Sequence, residues 1–455
     1  MLDRCLRCPA KEAALKADKI SSDSYSVRPN ALLALIPAAN QKSAFEMERS
    51  RIMRVAVLGC GFQGCCTALE LARRGGSVTL YDRYPSLLAG AVAASEGKIH
   101  LGYVYASDRS LATARTMLRG ALSFMPLVES YLGEDAPMAT SEPFVYAVHR
   151  DSQVKTEDFC AHLNAVHELV LRDPRRDSYF GVDLHSAPRR MSQSELESRF
   201  DPELVRSAFY TGEIAIDIPA LSRLMSRQIL HDPRINVRTG HTITAVADDS
   251  SCMSVRSVGR DSIERHCDTF DVVVNALWDG RLAIDATRNI HPERKWIHRF
   301  KHGIRFRSAA GGCLPSVTLV LGPFGDLVDY GEGRFYLSWY PACMTASSKS
   351  LSPPGWQAEP AEPLRSQIIG DSFAAMAEII PGLHGARPED LEVKAGTIVA
   401  WGSSDIDDQV SELHRRHEIG VHSYDKYHSI DAGKLTMAPY FAEVCADRII
   451  AKSSQ

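Results

Sequence analysis

Gly59, Gly61 and Gly64 fall in the stretch GCGFQG, with Asp82 twenty-three positions after the first of them, and no other spacing in the chain implies chemistry so directly. Residues 55–58 are apolar and β-rich, and CCTALELARR after the glycines has helical spacing, with Ala68, Leu69 and Ala72 available to pack. The pattern is strand, tight turn, helix. In it Gly59 takes the turn conformation, Gly61 lets the backbone approach a pyrophosphate, and Gly64 lets the helix lie close to the strand. The helix start at Phe62 and Gln63 offers free N–H groups and a partial positive charge. A second strand, SVTLYD, ends on Asp82 at the distance needed to bond a ribose hydroxyl, and its carboxylate disfavours a 2′-phosphate even with Arg83 beside it. An adenine dinucleotide is expected, NAD or FAD.

Two further stretches could approach such a ligand. In AGAVAASEGKIHLGYVYASD, residues 89–108, the small residues Gly90, Ala91, Ser95 and Gly97 allow close backbone approach, while Lys98 and His100 bring polar or cationic groups. In SIDAGKLTMAPYFAEVCADRII, Gly433 supplies a turn, followed by Lys434, Leu435, the Thr436 hydroxyl and a helix start. A plain NAD dehydrogenase has no reason for either.

With these stretches the chain resembles the flavoprotein family of D-amino acid oxidase, sarcosine oxidase and glycine oxidase over most of residues 53–450. FYTGEIAIDIPALSRLMSRQI resembles the family's helix and its lead-in. INVRTGHTITAV, with Ile243, resembles the strand passing the adenine. DVVVNALWDG, with Asn275 and Ala276, resembles the strand returning to the cofactor, although Leu277 and Trp278 stand where the family more often has Ala-Gly. The resemblance implies FAD as cofactor, with Lys434 either beside the flavin or facing solvent. It also implies an α/β fold: a discontinuous Rossmann-like FAD-binding domain over 53–135, 205–290 and 420–455, and an α+β substrate domain over 136–204 and 291–419. Some relatives join a histidine or cysteine covalently to the flavin, and His100 and Cys313 are conceivable here.

The intervening blocks carry short β-rich runs, PFVYAVHR, HGIRFRS, PSVTLVLGPF, GRFYLSWYP and GTIVAWGSS, consistent with an antiparallel sheet. Tyr336, Trp339, Tyr340 and Trp401 are either pocket walls or plain core. Arg305 is a candidate fork for a substrate carboxylate, or else part of a salt bridge. His100 and His428, the latter just before the glycine turn, are candidate pocket residues or hydrogen-bonded structural histidines. The Asp- and His-bearing stretch from Asp405 to His428 matches no compact metal motif, so no metal is expected.

A net charge of −4 with 45% hydrophobic and 24% charged residues gives no electrostatic footprint for nucleic acid, and no apolar run is long enough to span a membrane. A small-molecule substrate is expected. Eleven scattered cysteines do not form a disulfide framework and point to a reducing, cytoplasmic setting. Cys5 and Cys8 belong to an extension, residues 1–52, whose mixed composition favours disorder over a folded module. The family resemblance implies an oxidoreductase taking a hydride from the C–N bond of an amino acid or secondary amine. Two alternatives stay open: a dehydrogenase of 2-hydroxy acids or alcohols, which needs a base such as His100 or His428, and a flavoprotein with a non-catalytic role. The electron acceptor and the oligomeric state are left open.

Overall fold

The computed structural model describes residues 52–453, apart from 135, 261–264, 310–313, 407, 409 and 410. Nearly all of the extension, with Cys5 and Cys8, and also Cys313 lie outside the described residues.

Arg54–Leu58 has one exposed residue followed by four fully buried apolar ones, because it runs in the middle of a sheet covered on both faces. It pairs in parallel with Ser77–Tyr81 on one side and Val272–Asn275 on the other. Ile235–Arg238 extends one edge and Tyr427–Asp431 the other, and Gly420–Tyr424 closes the sheet as an antiparallel hairpin strand. The helix Phe62–Arg73 packs against the C-terminal helix Ala438–Ser453. Cys65 and Cys66 are fully buried in that core, where burial raises both thiol pKa values well above the ordinary range, so they act as small packing residues.

A nine-stranded sheet forms the second layer. Its spine is Trp296–Arg307, paired along its length with Glu389–Trp401 and on its other edge with Met344–Ser348 and Arg334–Trp339. The order continues through Gly325–Asp329, Val317–Val320, Val145–His149, Val205–Tyr210 and Arg189–Arg190. All pairs are antiparallel except Val317–Val320 with Val145–His149. Val205–Tyr210, grouped above with the nucleotide-binding pieces, belongs to this sheet. Val145–His149 is buried at all five positions, and Val205–Tyr210 supplies the hydrogen-bonding partner for its second edge.

A three-stranded antiparallel sheet, His241–Asp249, Cys252–Gly259 and Arg265–Phe270, stands beside the parallel one. Lys98–Ile99 pairs with Ile214–Ala215 as a two-residue ladder that brings the 89–108 segment under the larger sheet. Among the described residues no helix is long and apolar enough to cross a membrane.

Candidate active site

One cavity of about 830 Å³ takes residues from the nine-stranded sheet and from the turns that follow strands of the parallel one, a size ordinary for a small-molecule or cofactor site. At one end Gly59, Gly61, Phe62 and Gln63 line it. Gly59 adopts φ +105°, and a Cβ on it would lie 2.6 Å from the Ala276 carbonyl oxygen. Gly64 does not reach the cavity; its Cα lies so close to the turn that a Cβ would stand 1.7 Å from the Gly59 carbonyl oxygen. The helix Phe62–Arg73 has no side-chain cap, so its first N–H groups are available to an anion. Gln63 donates to the Ala438 carbonyl, while its buried Oε1 lacks a hydrogen-bond partner.

Asp82 also lines this end, its carboxylate accepting from the N–H groups of Cys60 at 2.6 Å and Tyr84 at 2.8 Å. Burial raises its pKa, and those two N–H groups oppose the rise. Arg83 lines the cavity but is paired with Asp279 at 2.8 Å. Ile243 and Ala276 face the same space. Asn275 lies behind it: its amide bonds the Arg281 carbonyl and Asp285, fixing the turn that presents Ala276. Trp278, a departure from the family pattern, sits at φ +57° and donates its indole N–H to the Thr397 carbonyl at 2.7 Å, joining this turn to the larger sheet.

In the middle, Gly90, Ala91 and Ser95 line the cavity from one side and Gly433, Lys434 and Leu435 from another. Gly97 is packed against the Ile216 carbonyl, and Thr436 sits behind the lining, its hydroxyl accepting from the His100 N–H at 3.0 Å. Arg305 corrects the expectation of a substrate anchor. Its guanidinium donates to the carbonyls of Ala93 and, at 2.7 Å, Ser95, so it fastens the 89–95 segment and does not line the cavity. His428 is corrected as well: it is buried in its strand, bonded to the Ser423 hydroxyl at 2.9 Å, and burial followed by Lys452 and Arg448 lowers its pKa to about 4.

The far end is densely charged. Lys98 is buried against Asp326 at 2.8 Å and over the Phe144 ring, and Lys301 stands 4.0 Å from the same carboxylate. Burial and Asp326 push Glu96 up, but Lys301, Lys434 and Lys98 outweigh them and hold it below the ordinary value. Arg299 pairs with Asp405 at 2.7 Å and donates to the Tyr340 hydroxyl. Lys434, buried beside Arg416, is lowered to about 7. Arg416 is anchored by its Nε on the Leu413 carbonyl at 3.1 Å and its N–H on Thr113. Among the described residues neither Arg416 nor Lys434 has a carboxylate partner within 4.0 Å.

Of the aromatic residues singled out from the sequence, Tyr336 and Tyr340 line the cavity. Trp339 packs with Phe324 in the core, and Trp401 donates to Asp431 at 2.6 Å. In the stretch from Asp405 to His428, Asp405 serves Arg299 and His414 bonds the Asp408 carbonyl, while Asp407 lies outside the described residues. Among the described residues no three His, Cys, Asp or Glu side chains could hold a metal. Sequence reasoning missed Glu96, Arg299, Lys301, Asp326 and Arg416, each of which looks like an ordinary surface charge in its own segment.

The model of the FAD dependent oxidoreductase family, DAO, matches residues 54–341. The chain belongs to this family. Among curated proteins none matches. Solved structures with the same fold include glycine oxidase from Geobacillus kaustophilus, 14% identical with TM-score 0.63, covering 88% of this chain and 95% of that one. Iminodiacetate oxidase from Chelativorans is 15% identical with TM-score 0.59, covering 88% and 95%. L-α-glycerophosphate oxidase from Mycoplasma pneumoniae, with FAD bound, is 14% identical with TM-score 0.57, covering 87% and 94%. The protein is thus an FAD-dependent oxidoreductase of the DAO family, with FAD as cofactor.

The residues present fit FAD. The uncapped helix start suits a pyrophosphate, a Cβ on Gly61 would meet nothing within 4 Å, and Gln63 Oε1 awaits a donor. A ribose hydroxyl on the Asp82 carboxylate would be a charge-assisted contact of the kind that contributes about 1.5–3 kcal/mol, and Asp82→Ala would remove it. FAD affinity measured by fluorescence titration is expected to fall roughly ten- to a hundred-fold, with the fold unchanged by circular dichroism.

Proposed function

We propose that this DAO-family chain oxidises the C–N bond of an amino acid or secondary amine that carries a carboxylate. The observation that carries the reading is the pair Arg416 and Lys434, two cations lining the cavity with no carboxylate within 4.0 Å among the described residues. Glu96 and Asp326 offset only part of the positive charge that Lys98, Arg299, Lys301, Arg416 and Lys434 bring to this cavity, so an anion is favoured there. The names glycine oxidase and iminodiacetate oxidase support the choice of donor, since both substrates combine an amine with a carboxylate.

FAD, when bound, supplies the hydride acceptor. In this reading the residues that hold it are Gly59, Gly61, Phe62 and Gln63 at the pyrophosphate, with Asp82 at the ribose and Ile243 and Ala276 toward the adenine. Residues 90–98 and 433–435 flank the rest. Arg416 offers a two-pronged fork to the substrate carboxylate, and Lys434 adds a point charge. Because Arg299 donates to the Tyr340 oxygen, the Tyr340 hydroxyl proton is left for a substrate oxygen. Trp356, packed on Phe300 at 5.0 Å, and Tyr336 exclude water from this end.

The lowered Lys434 pKa gives a signed pH dependence. Below about 7 the ammonium is charged and attracts the carboxylate; above it the neutral amine does not. KM for an amino acid is expected to rise as pH passes upward through that region, and Lys434→Met should remove this limb. Steady-state comparison of an amino acid with its methyl ester tests the reading. The ester should lose most of kcat/KM, and equal rates for acid and ester would contradict it. A hydroxyl-bearing donor is the second reading, favoured by the neutral imidazole of His100 in the same cavity and by the fold shared with glycerophosphate oxidase.

A further inference from the structure

Glu213, in the stretch FYTGEIAIDIPALSRLMSRQI, does not line the cavity, yet it is fully buried directly behind it. It precedes Ile214–Ala215, the short strand paired with Lys98–Ile99, so the fold places it beside His100. A buried carboxylate persists only when its lone pairs are taken. Here Oε2 accepts from the Leu101 N–H at 2.8 Å, and Oε1 accepts from the Tyr146 hydroxyl and faces His100 Nδ1 at 3.2 Å. The His100 backbone N–H is fixed in turn by Thr436.

The other ring nitrogen of His100, Nε2, makes no hydrogen bond to a described residue, and the ring lines the cavity. It lies edge-on to Tyr105 at 5.6 Å, and the Tyr105 hydroxyl is itself buried without a partner. A carboxylate that accepts the Nδ1–H leaves Nε2 as a lone-pair acceptor toward the cavity.

We propose that Glu213 is a positioning residue that holds His100 with its proton on Nδ1, so that Nε2 receives the proton from the substrate's ammonium nitrogen. The inference rests on the C–N reading given above. In this step the substrate N–H bond breaks, its electron pair stays on nitrogen as the lone pair that hydride loss requires, and the proton bonds to Nε2. The resulting imidazolium keeps its Nδ1–H on Glu213. The charged and titratable groups facing the ring are Glu213, Lys98, Lys434, Tyr105 and Tyr146. Burial lowers the imidazole, the two lysines add to the lowering and Glu213 opposes it, so the ring rests neutral and the Glu213 carboxylate is what offsets the cost of protonating it.

Glu213→Gln tests the assignment in the FAD-loaded enzyme. The carboxamide must turn its oxygen to the Leu101 N–H, so its NH₂ faces Nδ1 and forces the proton onto Nε2. For an amino acid substrate kcat is expected to fall by roughly 10²–10⁴-fold, with KM little changed and FAD content and melting temperature retained. His100→Gln should lose about as much, and the double variant no more than either. ¹⁵N spectra of histidine-labelled protein, with His100 assigned from His100→Gln, give a readout independent of turnover: Nδ1–H in the wild type and Nε2–H in Glu213→Gln. If Glu213→Gln does not fold, Glu213→Asp is measured instead, and reduced kcat with the Nδ1–H form retained supports the proposal. Wild-type rates and an unshifted pH profile in the variant, or Nε2–H in the wild type, overturn it. A wild-type enzyme that oxidises hydroxy acids and no amine overturns the C–N reading instead, with the Nδ1–H assignment still standing.

Discussion

Replacing Gly64 with alanine is expected to give a protein that purifies without FAD and melts well below the wild type. The added Cβ would lie 1.7 Å from the Gly59 carbonyl oxygen and 2.9 Å from its carbon, and neither partner is free to move. Gly59 is fixed from behind by its N–H on the Tyr81 carbonyl at 2.7 Å and from the side by the Ala276 carbonyl. The helix carrying Gly64 is buried on all sides, from Phe62 to Ala72. Overpacking of this kind costs about 3 kcal/mol or more when it falls on backbone. The turn that presents N–H groups to the pyrophosphate must therefore open. Gly61→Ala is the control, because its Cβ meets nothing in the protein: the apo form should melt as the wild type does while binding FAD more weakly. Visible absorbance per protein and a thermal melt check both variants. A Gly64→Ala protein that keeps its flavin and its melting temperature would contradict the close approach described here.

Arg416→Met is expected to raise KM for an amino acid by roughly two to three orders of magnitude, since losing one partner of a desolvated charge pair costs about 2–5 kcal/mol. Its Nε is tied to Leu413 and its backbone to Thr113, so the two terminal nitrogens are presented already oriented. The contact is made equally in ground and transition states, so kcat should change much less than KM. Lysine at this position should recover only part of the loss, because it offers a point charge in place of a planar fork. FAD content should be unaffected. Steady-state kinetics with an acid and its methyl ester separate the effects: the ester's already low kcat/KM should hardly change, and an unchanged KM for the acid would remove Arg416 from the site.

The dinucleotide end was legible in the sequence because its parts are contiguous. Strand, glycine turn, helix and Asp82 lie within thirty residues, and each glycine answers to a local steric demand. Apart from Lys434 the charged end was not legible, because Glu96, Arg299, Asp326 and Arg416 come from four separate segments and meet only in the fold. Arg299, Lys301 and Arg305 share one strand at odd positions, and strand alternation puts such residues on one face. Alternation does not say how far along that face the cavity extends, and Arg305 lies past its edge, on the carbonyls of Ala93 and Ser95. His428 failed for a related reason: the five residues of extended chain from there to Gly433 cover roughly 16 Å. Glu213 sits in the stretch FYTGEIAIDIPALSRLMSRQI, but its place beside His100 depends on a two-residue strand pairing that spacing does not reveal. Among the larger strands, PFVYAVHR, PSVTLVLGPF and GRFYLSWYP kept their β-rich signature through to the nine-stranded sheet.

Anaerobic titration of the FAD-loaded protein tests the central claim most directly. Matched pairs of small amino acids or N-methyl amino acids and the 2-hydroxy acids of the same carbon skeleton are added while the visible flavin spectrum is followed. Loss of the flavin bands with members of the amine series, and not with their hydroxy counterparts, is the expected result. Bleaching by the hydroxy acids alone would contradict it and assign the cavity to alcohol oxidation.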